Sequence, residues 1–361
     1  MINDLFEKRF LVTGGAGFVG SNLAIAFKNR YPDAAILALD NLKRRGSELN
    51  IARLKENKIE FRHGDIRNPE DLEFGDNKID VILECSAEPS VLAGFGGSPG
   101  YLLNSNLTGA INCLELARKH QADFVFLSTS RVYPVESINN LIFEETESRF
   151  LLEQGQVTPG ASIEGISEAF PLDGVRSLYG ATKLAAELIA MEYSSMYGVR
   201  TIIDRCGVLA GPWQMGKVDQ GVFTLWMAAH IFNKPLRYIG FGGSGKQVRD
   251  VLHVDDLFEL LDIQLRNIDQ YNNRIFNVGG GVENSLSLQE TTRLCEKISA
   301  NKIDIKPDPE PRPADLTSYI SDSRKIIAES GWKPKHTPEM VLQDIHDWIS
   351  ENKTLLKPIL S

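Results

Sequence analysis

Short apolar runs alternate with longer segments of helical periodicity through the first half of the sequence. The apolar runs predict β-strands at residues 10–13, 35–40, 59–62, 80–85, 124–128 and 201–205. Amphipathic patterns predict one helix that follows the glycines after the first strand and continues to about residue 29, and another over 101–120. Such alternation is typical of a parallel sheet with helices on both faces, and right-handed crossovers then favour a doubly wound α/β fold.

The pattern weakens after the fifth strand. Residues 133–179 are polar and contain several prolines and glycines, which we interpret as an insertion near the active site. Aromatic and glycine-rich segments follow residue 207, and mixed helices continue to the end. We therefore predict a dinucleotide-binding domain at 1–206, onto which about 248–278 packs back. A smaller, mostly C-terminal α/β substrate domain would comprise 207–247 and 279–361.

Composition narrows the classes of function. The chain has 361 residues and is 42% hydrophobic, enough for a substantial core, and its net charge of −9 argues against nucleic-acid binding. Four scattered cysteines and six dispersed histidines predict neither disulfides nor a metal site. The N-terminus lacks the apolar region of a signal peptide, and no apolar run is long enough to span a membrane. We expect a cytoplasmic protein.

A glycine-rich run, TGGAGFVG at residues 13–20, follows the first strand. Gly14, Gly17 and Gly20 have the spacing of a dinucleotide-binding loop: a tight turn, close approach of backbone to pyrophosphate, and close packing of the helix on the sheet. An ordinary tight turn is the alternative. The strand before it, the helix after it and an acid at the end of strand two favour the dinucleotide loop.

That acid is Asp40, twenty residues beyond Gly20. A carboxylate there can accept both ribose hydroxyls of NAD and would repel the additional phosphate of NADP. The neighbouring Lys43, Arg44 and Arg45 could instead accommodate that phosphate, but we predict NAD because the acid stands at the strand end itself. Asp65, after strand three, either caps its loop or accepts from the adenine amino group.

Three further residues form a candidate catalytic set. Tyr179 and Lys183 are four residues apart on a predicted helix and therefore share one face, although such pairs also occur by chance on surfaces. A phenol titrates near ~10, so a nearby ammonium is needed before Tyr179 can act as a base near neutral pH. Thr129, at the end of strand five, can orient the same substrate hydroxyl. The set predicts the removal of a hydride and a proton from an alcohol.

These motifs together resemble the extended short-chain dehydrogenase/reductases, the nucleotide-sugar epimerases and dehydratases with a Rossmann domain. The matching segments extend over nearly the whole chain; they include TGGAGFVG, Asn106-x-x-Gly109, STSRVY at 128–133, YGATK at 179–183, QVRD at 247–250 and GWKP at 331–334. Within that family the segments DQG at 219–221, GKQVRDVLH at 245–253 and NSLSL at 284–288 look most like the CDP-paratose 2-epimerases.

The resemblance implies a reaction and a set of contacts. One sugar hydroxyl, on carbon 2 for a 2-epimerase, would be oxidised to a ketone and reduced again from the opposite face, with NAD regenerated. The implied substrate is a nucleotide-diphosphate sugar, and the implied setting is lipopolysaccharide or cell-surface polysaccharide biosynthesis by a homodimer or homotetramer. Implied cofactor contacts are Gly14, Gly17, Phe18, Val19, Gly20, Asp40, Asn41, Arg44, Asp65, Ile66, Ser86, Ala87, Tyr179 and Lys183. Implied substrate contacts are Thr129, Gln220, Arg249, Arg312 and Asp315.

The sequence also departs from the family pattern. Dehydratases of this family carry an acidic pair directly after the threonine, where this chain has Ser130 and Arg131, so dehydration is disfavoured. The usual His-x-Ala-Ala after strand four is Glu84-Cys85-Ser86-Ala87 here. Another nucleotide-sugar 4-epimerase and a net oxidoreductase remain alternatives, and a non-catalytic NAD-binding sensor is a more distant one.

Overall fold

The computed structural model describes residues 4–75, 77–217 and 219–361. Three predictions therefore include residues outside the described ranges. Met1–Asn3 belong to the N-terminal segment in which no signal peptide is predicted, and Asp76 belongs to the predicted dinucleotide-binding domain. Val218 belongs to the glycine-rich segment at the start of the predicted substrate domain.

The strands and helices are numbered from the N-terminus. The strands are β1 (Arg9–Thr13), β2 (Ala35–Asp40), β3 (Glu60–His63), β4 (Val81–Glu84), β5 (Asp123–Thr129), β6 (Phe143–Glu145), β7 (Phe150–Leu152), β8 (Ala161–Ser162), β9 (Gly165–Ile166), β10 (Thr201–Cys206), β11 (Val208–Ala210), β12 (Leu236–Ile239), β13 (Val248–His253), β14 (Arg274–Val278), β15 (Ser285–Ser287), β16 (Ile305–Asp308) and β17 (Ser318–Tyr319). The helices are α1 (Phe18–Arg30), α2 (Asn50–Glu56), α3 (Gly100–Leu103), α4 (Gly109–His120), α5 (Val135–Asn139), α6 (Leu178–Tyr197), α7 (Val222–Phe232), α8 (Val254–Arg266), α9 (Ile268–Tyr271), α10 (Leu288–Ser299), α11 (Arg324–Ser330), α12 (Pro338–Glu351) and α13 (Lys353–Leu360).

The first of two compact units comprises residues 1–132, 178–205 and 257–276. It is built on a seven-stranded sheet in the order β14-β10-β5-β4-β1-β2-β3, with parallel pairing from β5 to β3. The strand order reverses beside β1, as in a doubly wound Rossmann fold. The predicted fold class is confirmed.

The register of this sheet aligns the carboxyl ends of its central strands. Thr13 of β1 pairs with Glu84 of β4, and Glu84 pairs with Phe126 of β5, which continues to Thr129. Asp40 ends β2 on the other side of β1. Parallel pairing therefore places the polar strand-end residues along one edge, where ligands of such sheets bind.

Both faces of the sheet are covered by helices. One face packs on α4 and α6 through a buried cluster that includes Ile82, Phe124 and Leu114. On α1, Phe27 packs edge to face against Phe258 of α8, with ring centroids 4.9 Å apart. Arg30 of α1 also pairs with Asp262 of α8 at 3.2 Å. Residues 257–276 thus return to the first unit and end in the seventh strand.

The second unit comprises residues 133–177, 206–256 and 277–361. Its main sheet has β13 between β11 and β15, and β17 also pairs with β13. The polar insertion forms α5 and the hairpins β6–β7 and β8–β9. Arg149, in the β6–β7 hairpin, bonds Glu290 and donates to the Ser285 hydroxyl at 3.0 Å. That Glu290 completes the capping box of α10 with Ser287, so the insertion is integral to this unit.

This division differs from the predicted domains in two segments. The prediction places residues 133–177 in the first domain, but their short hairpins bond to the second unit. It also expects residues 248–256 to pack back on the first domain, but β13 is a strand of the second unit's sheet. The strand β14, which completes the large sheet, is not among the predicted strands.

The helix predicted over 101–120 is interrupted. The structure has α3, a π-helical turn at Asn104–Thr108, and then α4. Within this turn the buried Asn106 side chain donates to the Glu88 carbonyl at 3.1 Å and accepts from the Glu88 amide at 2.7 Å. π-helical turns occur frequently at functional sites, and in this protein Asn106 of the π-helical turn holds the loop after β4.

Among the described residues, no helix is both long and apolar enough to cross a bilayer. The four cysteines form no disulfide in the part of the chain that the structure describes, and Cys113, Cys206 and Cys295 are buried.

The buried Asp204 of β10 predicts a pH dependence of stability. It accepts from Gln264 of α8 at 3.0 Å, and burial raises the pKa of its carboxyl to about 7. The folded state then holds this proton more tightly than the unfolded state, so Asp204 lowers the free energy of unfolding as pH rises from about 4 to 7. We expect Asp204→Asn to remove this contribution and to be more stable than the wild type at pH 8, by up to about 4 kcal/mol.

Urea unfolding at pH 5 and pH 8 measures the effect, with the exposed Asp33→Asn as the matched control. An Asp204→Asn variant whose stability changes with pH as steeply as the wild type would contradict it.

Candidate active site

The glycine-rich turn links β1 to α1 as the sequence predicts. Gly14 has φ of 62°, and its carbonyl accepts from the Gly17 amide at 2.9 Å. A Cβ on Gly20 would lie 2.2 Å from the Gly14 oxygen. The close approach that requires Gly20 is therefore to the turn itself, rather than to the sheet as predicted.

The N-terminus of α1 fits the pyrophosphate of a dinucleotide. Gly17 provides no side-chain cap, and the first turn has no acidic residue, so the helix dipole and the amides at Phe18 and Val19 meet no competing carboxylate from α1. A side chain at Gly14 would collide with the Cys85 carbonyl at 2.8 Å, so the turn also lies directly against the loop after β4.

Asp40 links the end of β2 to the glycine turn. Its two carboxylate oxygens accept from the amides of Ala16 at 3.1 Å and Leu42 at 2.7 Å. Burial raises the pKa of this carboxyl above its ordinary value, and the backbone donors partly oppose that shift. A carboxylate has about four acceptor sites, more than these backbone donors use, so positioning the turn is compatible with the predicted role.

Asp65, the predicted adenine contact, forms one hydrogen-bonded group with Asn41, another predicted cofactor contact, and with Arg67. Asn41 donates to Asp65 at 2.8 Å, and the Arg67 guanidinium bonds both oxygens of Asp65. Burial alone would raise the pKa of Asp65, but these hydrogen bonds outweigh it and lower the pKa to about 2. The Arg67 guanidinium also lies 4.6 Å from the centre of the Tyr101 ring. Asp65 is thus a charged acceptor engaged in holding its own loop.

The remaining predicted cofactor contacts lie on neighbouring loops. Ile66 is buried, and a Cβ on Gly109 would lie 2.5 Å from its Cδ1. The Cα of Ser86 lies 3.0 Å from the Cβ position of Gly14, which brings the loop with Ser86 and Ala87 beside the glycine turn. Arg44 is half-buried in the loop after β2, where its carbonyl accepts from Ser47 at 3.0 Å.

Thr129 ends β5 in a buried polar environment. Its hydroxyl oxygen accepts from the Arg131 amide at 3.2 Å, which leaves the hydroxyl proton available for an acceptor. The preceding Ser128 donates to Glu187 of α6, and Glu187 forms a buried pair with Arg205 of β10 at 2.7 Å. This network fixes α6 against the ends of β5 and β10.

Tyr179 and Lys183 lie in the first two turns of α6. Tyr179 is half-buried, whereas Lys183 is only 2% exposed. The Lys183 ammonium lies 3.9 Å from the centre of the Phe126 ring and 3.5 Å from Oε2 of Glu84. The candidate catalytic lysine is therefore surrounded by protein, with an acid and an aromatic ring as its neighbours.

The ion pair between Glu84 and Lys183 was not predicted, because Glu84 was noted only as a departure from the family's usual histidine. Two facts together could have indicated it. A glutamate at the end of a buried strand needs a positively charged partner, and the pairing of β4 with β5 brings Glu84 near the residues that follow β5.

Three of the four predicted substrate contacts in the second unit lie together. Arg249 of β13 pairs with Asp315 at 3.2 Å and donates to the Leu316 carbonyl at 2.8 Å. Arg312 approaches the other oxygen of Asp315 at 3.8 Å. The two guanidinium groups outnumber the single carboxylate, so this cluster has a net positive charge although the whole chain is negatively charged. Gln220 lies in a separate short turn, bridged through its backbone to Lys217.

Two histidines that look dispersed in the sequence meet in the second unit. The rings of His253 and His336 stack with centroids 4.2 Å apart, and Asp255 completes a group with spacing suitable for a metal ion. However, Nδ1 of His253 accepts from the Asp255 amide at 3.1 Å, which uses the lone pair that a metal would need there. Burial lowers the pKa of His253, which favours the neutral form of its ring.

Comparison with known proteins agrees with this site. Residues 10–279 match the model of the NAD dependent epimerase/dehydratase family. The CDP-paratose 2-epimerase of Salmonella typhi is 31% identical over 95% of this chain and 99% of its own length. A dTDP-glucose 4,6-dehydratase of Mycolicibacterium smegmatis is 28% identical over 97% of this chain and 96% of its own.

A solved structure gives the same result. The dTDP-glucose 4,6-dehydratase of Bacillus anthracis, in complex with NAD, superposes with a TM-score of 0.75 at 26% identity, covering 98% of this chain and 99% of its own. This chain belongs to the NAD dependent epimerase/dehydratase family. Both the predicted family and NAD as its cofactor are confirmed.

The position of Asp40 predicts cofactor preference. We expect Asp40→Ala to weaken NAD binding by about tenfold, the cost of roughly 1.5 kcal/mol for losing a charged acceptor, and to narrow the difference between NAD and NADP. Asp40→Asn is the matched control, because its amide oxygen can still accept a backbone N–H of the turn while the charge is removed. It should narrow the same difference with a smaller loss of NAD affinity. Calorimetric titration measures both affinities, and a wild-type protein that prefers NADP would transfer the assignment to Arg44 and Arg45.

Proposed function

We propose that this protein epimerises a nucleotide-linked sugar, with a CDP-linked 2-epimerase reaction as the best-supported choice. The substrate hydroxyl is oxidised to a ketone, the ketosugar turns over in the site, and the ketone is reduced from the opposite face. Cytoplasmic location, homo-oligomeric assembly and a role in lipopolysaccharide or cell-surface polysaccharide biosynthesis belong to the same proposal.

The residues that follow Thr129 support epimerisation over dehydration. β5 ends at Thr129, and the next turn contains Ser130, which is buried, and Arg131. A dehydratase needs an acid and a base there to remove a hydroxyl and a carbon-bound proton, and neither residue offers a carboxylate. The choice of carbon 2 and of a CDP-linked sugar is supported by the Salmonella typhi relative and by the segments at 219–221, 245–253 and 284–288.

The protein's own groups would perform the proton transfer. Tyr179, one helical turn before Lys183, removes the proton of the substrate hydroxyl, and the ammonium favours the phenolate form that this requires. Thr129 already accepts from the Arg131 amide and can donate its own proton to the same substrate oxygen, which orients it. Bound NAD supplies the hydride acceptor and the hydride donor. In the reverse direction Tyr179 returns the proton to the ketone oxygen.

Phosphate binding would use two different features. The uncapped N-terminus of α1 suits the cofactor pyrophosphate. In the second unit, the guanidinium groups of Arg249 and Arg312 suit a nucleotide diphosphate, because guanidinium groups form charge-assisted hydrogen bonds with phosphate oxygens. Asp315 contacts both arginines and would hold them in place. Gln220 stays a proposed sugar contact.

Three alternatives differ in their products. A 4-epimerase would invert carbon 4, a net oxidoreductase would release NADH, and an NAD-binding sensor would convert no sugar. The retained Thr129, Tyr179 and Lys183 favour an enzyme over a sensor.

A panel of CDP-, UDP- and GDP-sugars, with products identified by NMR, tests the proposal. We expect inversion at carbon 2 of a CDP-sugar, with no accumulation of NADH. Inversion at carbon 4 would reject the choice of position, and release of NADH would reject epimerisation.

The Tyr179→Phe variant tests the proposed base. It should retain NAD but turn over about 10² to 10⁴ times more slowly, because it lacks the proton-transfer group and keeps the phosphate loop intact. A Tyr179→Phe variant with most of its activity would show that Tyr179 is not the base.

A further inference from the structure

Glu84 and Lys183 form a buried ion pair at the carboxyl edge of the sheet. Their side chains are 1% and 3% exposed, and Oε2 of Glu84 lies 3.5 Å from the Lys183 ammonium. The other oxygen, Oε1, is buried and has no hydrogen-bond partner among the described residues. Burial raises the pKa of this carboxyl, and the Lys183 ammonium is the strongest influence that opposes the shift, ahead of the Ser86 amide. Lys183 is therefore the main partner of the carboxylate.

A lysine in this position needs a compensating charge. An ammonium is costly to remove from water when it has no partner, so a buried lysine is normally paired with an opposite charge. The Phe126 ring, 3.9 Å from the ammonium, contributes only a weak cation–π attraction. Among the described residues, Glu84 is the one acid within ion-pair distance of Lys183.

The other titratable groups around Lys183 do not replace Glu84. Cys85 follows β4 and Cys113 lies on α4, and burial raises the pKa of both thiols, so they are neutral in the working range. On α6 itself, Glu187 is occupied by Arg205. Tyr179 lies one turn away on the same helix and is the proposed base.

We propose that Glu84 is a positioning residue for the reaction proposed above: its carboxylate pairs with the Lys183 ammonium and fixes its position. Lys183 must carry its proton to favour the Tyr179 phenolate. Glu84 acts on the reaction only through Lys183, so its influence appears in kcat rather than in the identity of the product. This inference rests on the proposed function.

The split between kcat and KM tests the inference. We expect Glu84→Gln, which keeps the shape and removes the charge, to lower kcat about tenfold or more while KM for the nucleotide sugar changes by less than about threefold, because Lys183 is then no longer held beside Tyr179. Glu84→Asp keeps the charge and should restore kcat to within about threefold of the wild type. Equal losses of kcat in the folded Glu84→Gln and Glu84→Asp variants would mean that the charge is not what matters, and that result would overturn the proposal.

A second measurement does not depend on turnover. Glu84→Gln, Lys183→Met and the double variant are compared by thermal unfolding at pH 7. Each single variant leaves one buried charge without its partner, whereas the double variant leaves neither. We expect the double variant to lose less Tm than the sum of the two single losses, and additive losses would contradict the pairing.

The two measurements separate the two proposals. A wild-type protein that converts no nucleotide sugar would reject the proposed function, and the unfolding comparison would still decide whether Glu84 holds Lys183. An active wild type, together with an unchanged kcat in a folded Glu84→Gln variant, would reject the positioning role alone. Should Glu84→Gln fail to fold, Glu84→Asp carries the test: a kcat more than about tenfold below the wild type would show that charge alone does not hold Lys183 in place.

Discussion

The parallel register of the large sheet is the constraint on which the first unit depends. Pairing of Thr13 with Glu84, and of Glu84 with Phe126, brings the ends of β1, β4 and β5 to one edge. The glycine turn continues from β1, Asp40 ends β2, and Thr129 ends β5 on the same edge. A shift of one residue in β4 would turn Glu84 to the opposite face and leave Lys183 without its acid.

Charge burial at this edge is the second requirement. Lys183 with Glu84, and Arg205 with Glu187, are pairs in which every side chain is nearly inaccessible to water. Such pairs contribute little net stability, but loss of one partner is costly because a charge then remains buried alone. The arrangement gives a rigid α6, and α6 carries both Tyr179 and Lys183. Rigid placement of a base and its ammonium is what proton transfer at a fixed substrate atom requires.

Much of this could be predicted from the sequence, because the strongest signals are local. The strand β2 begins and ends where its apolar run does, and the other predicted strands differ by one or two residues at their ends. The glycine turn, Asp40 and the Tyr179–Lys183 pair depend on spacings of a few residues, which the chain displays directly. The features that were not predicted depend on contacts distant in sequence. The polar insertion joins the second unit through Arg149 and Glu290, which are 141 residues apart. Glu84 gains meaning only beside a lysine 99 residues later, since periodicity reports how a segment packs and not which segment it meets.

The most direct test of the hydride mechanism is the fate of deuterium placed on the reacting carbon of the substrate. Oxidation and re-reduction within one site return the same hydride to the same carbon, so the product from substrate deuterated at carbon 2 should keep its label in ordinary water. Deprotonation at that carbon would exchange the label with solvent, and a net dehydrogenase would transfer it to released NADH. Retention of deuterium at an inverted carbon 2 is the predicted result, and washout of the label into water would contradict the hydride mechanism.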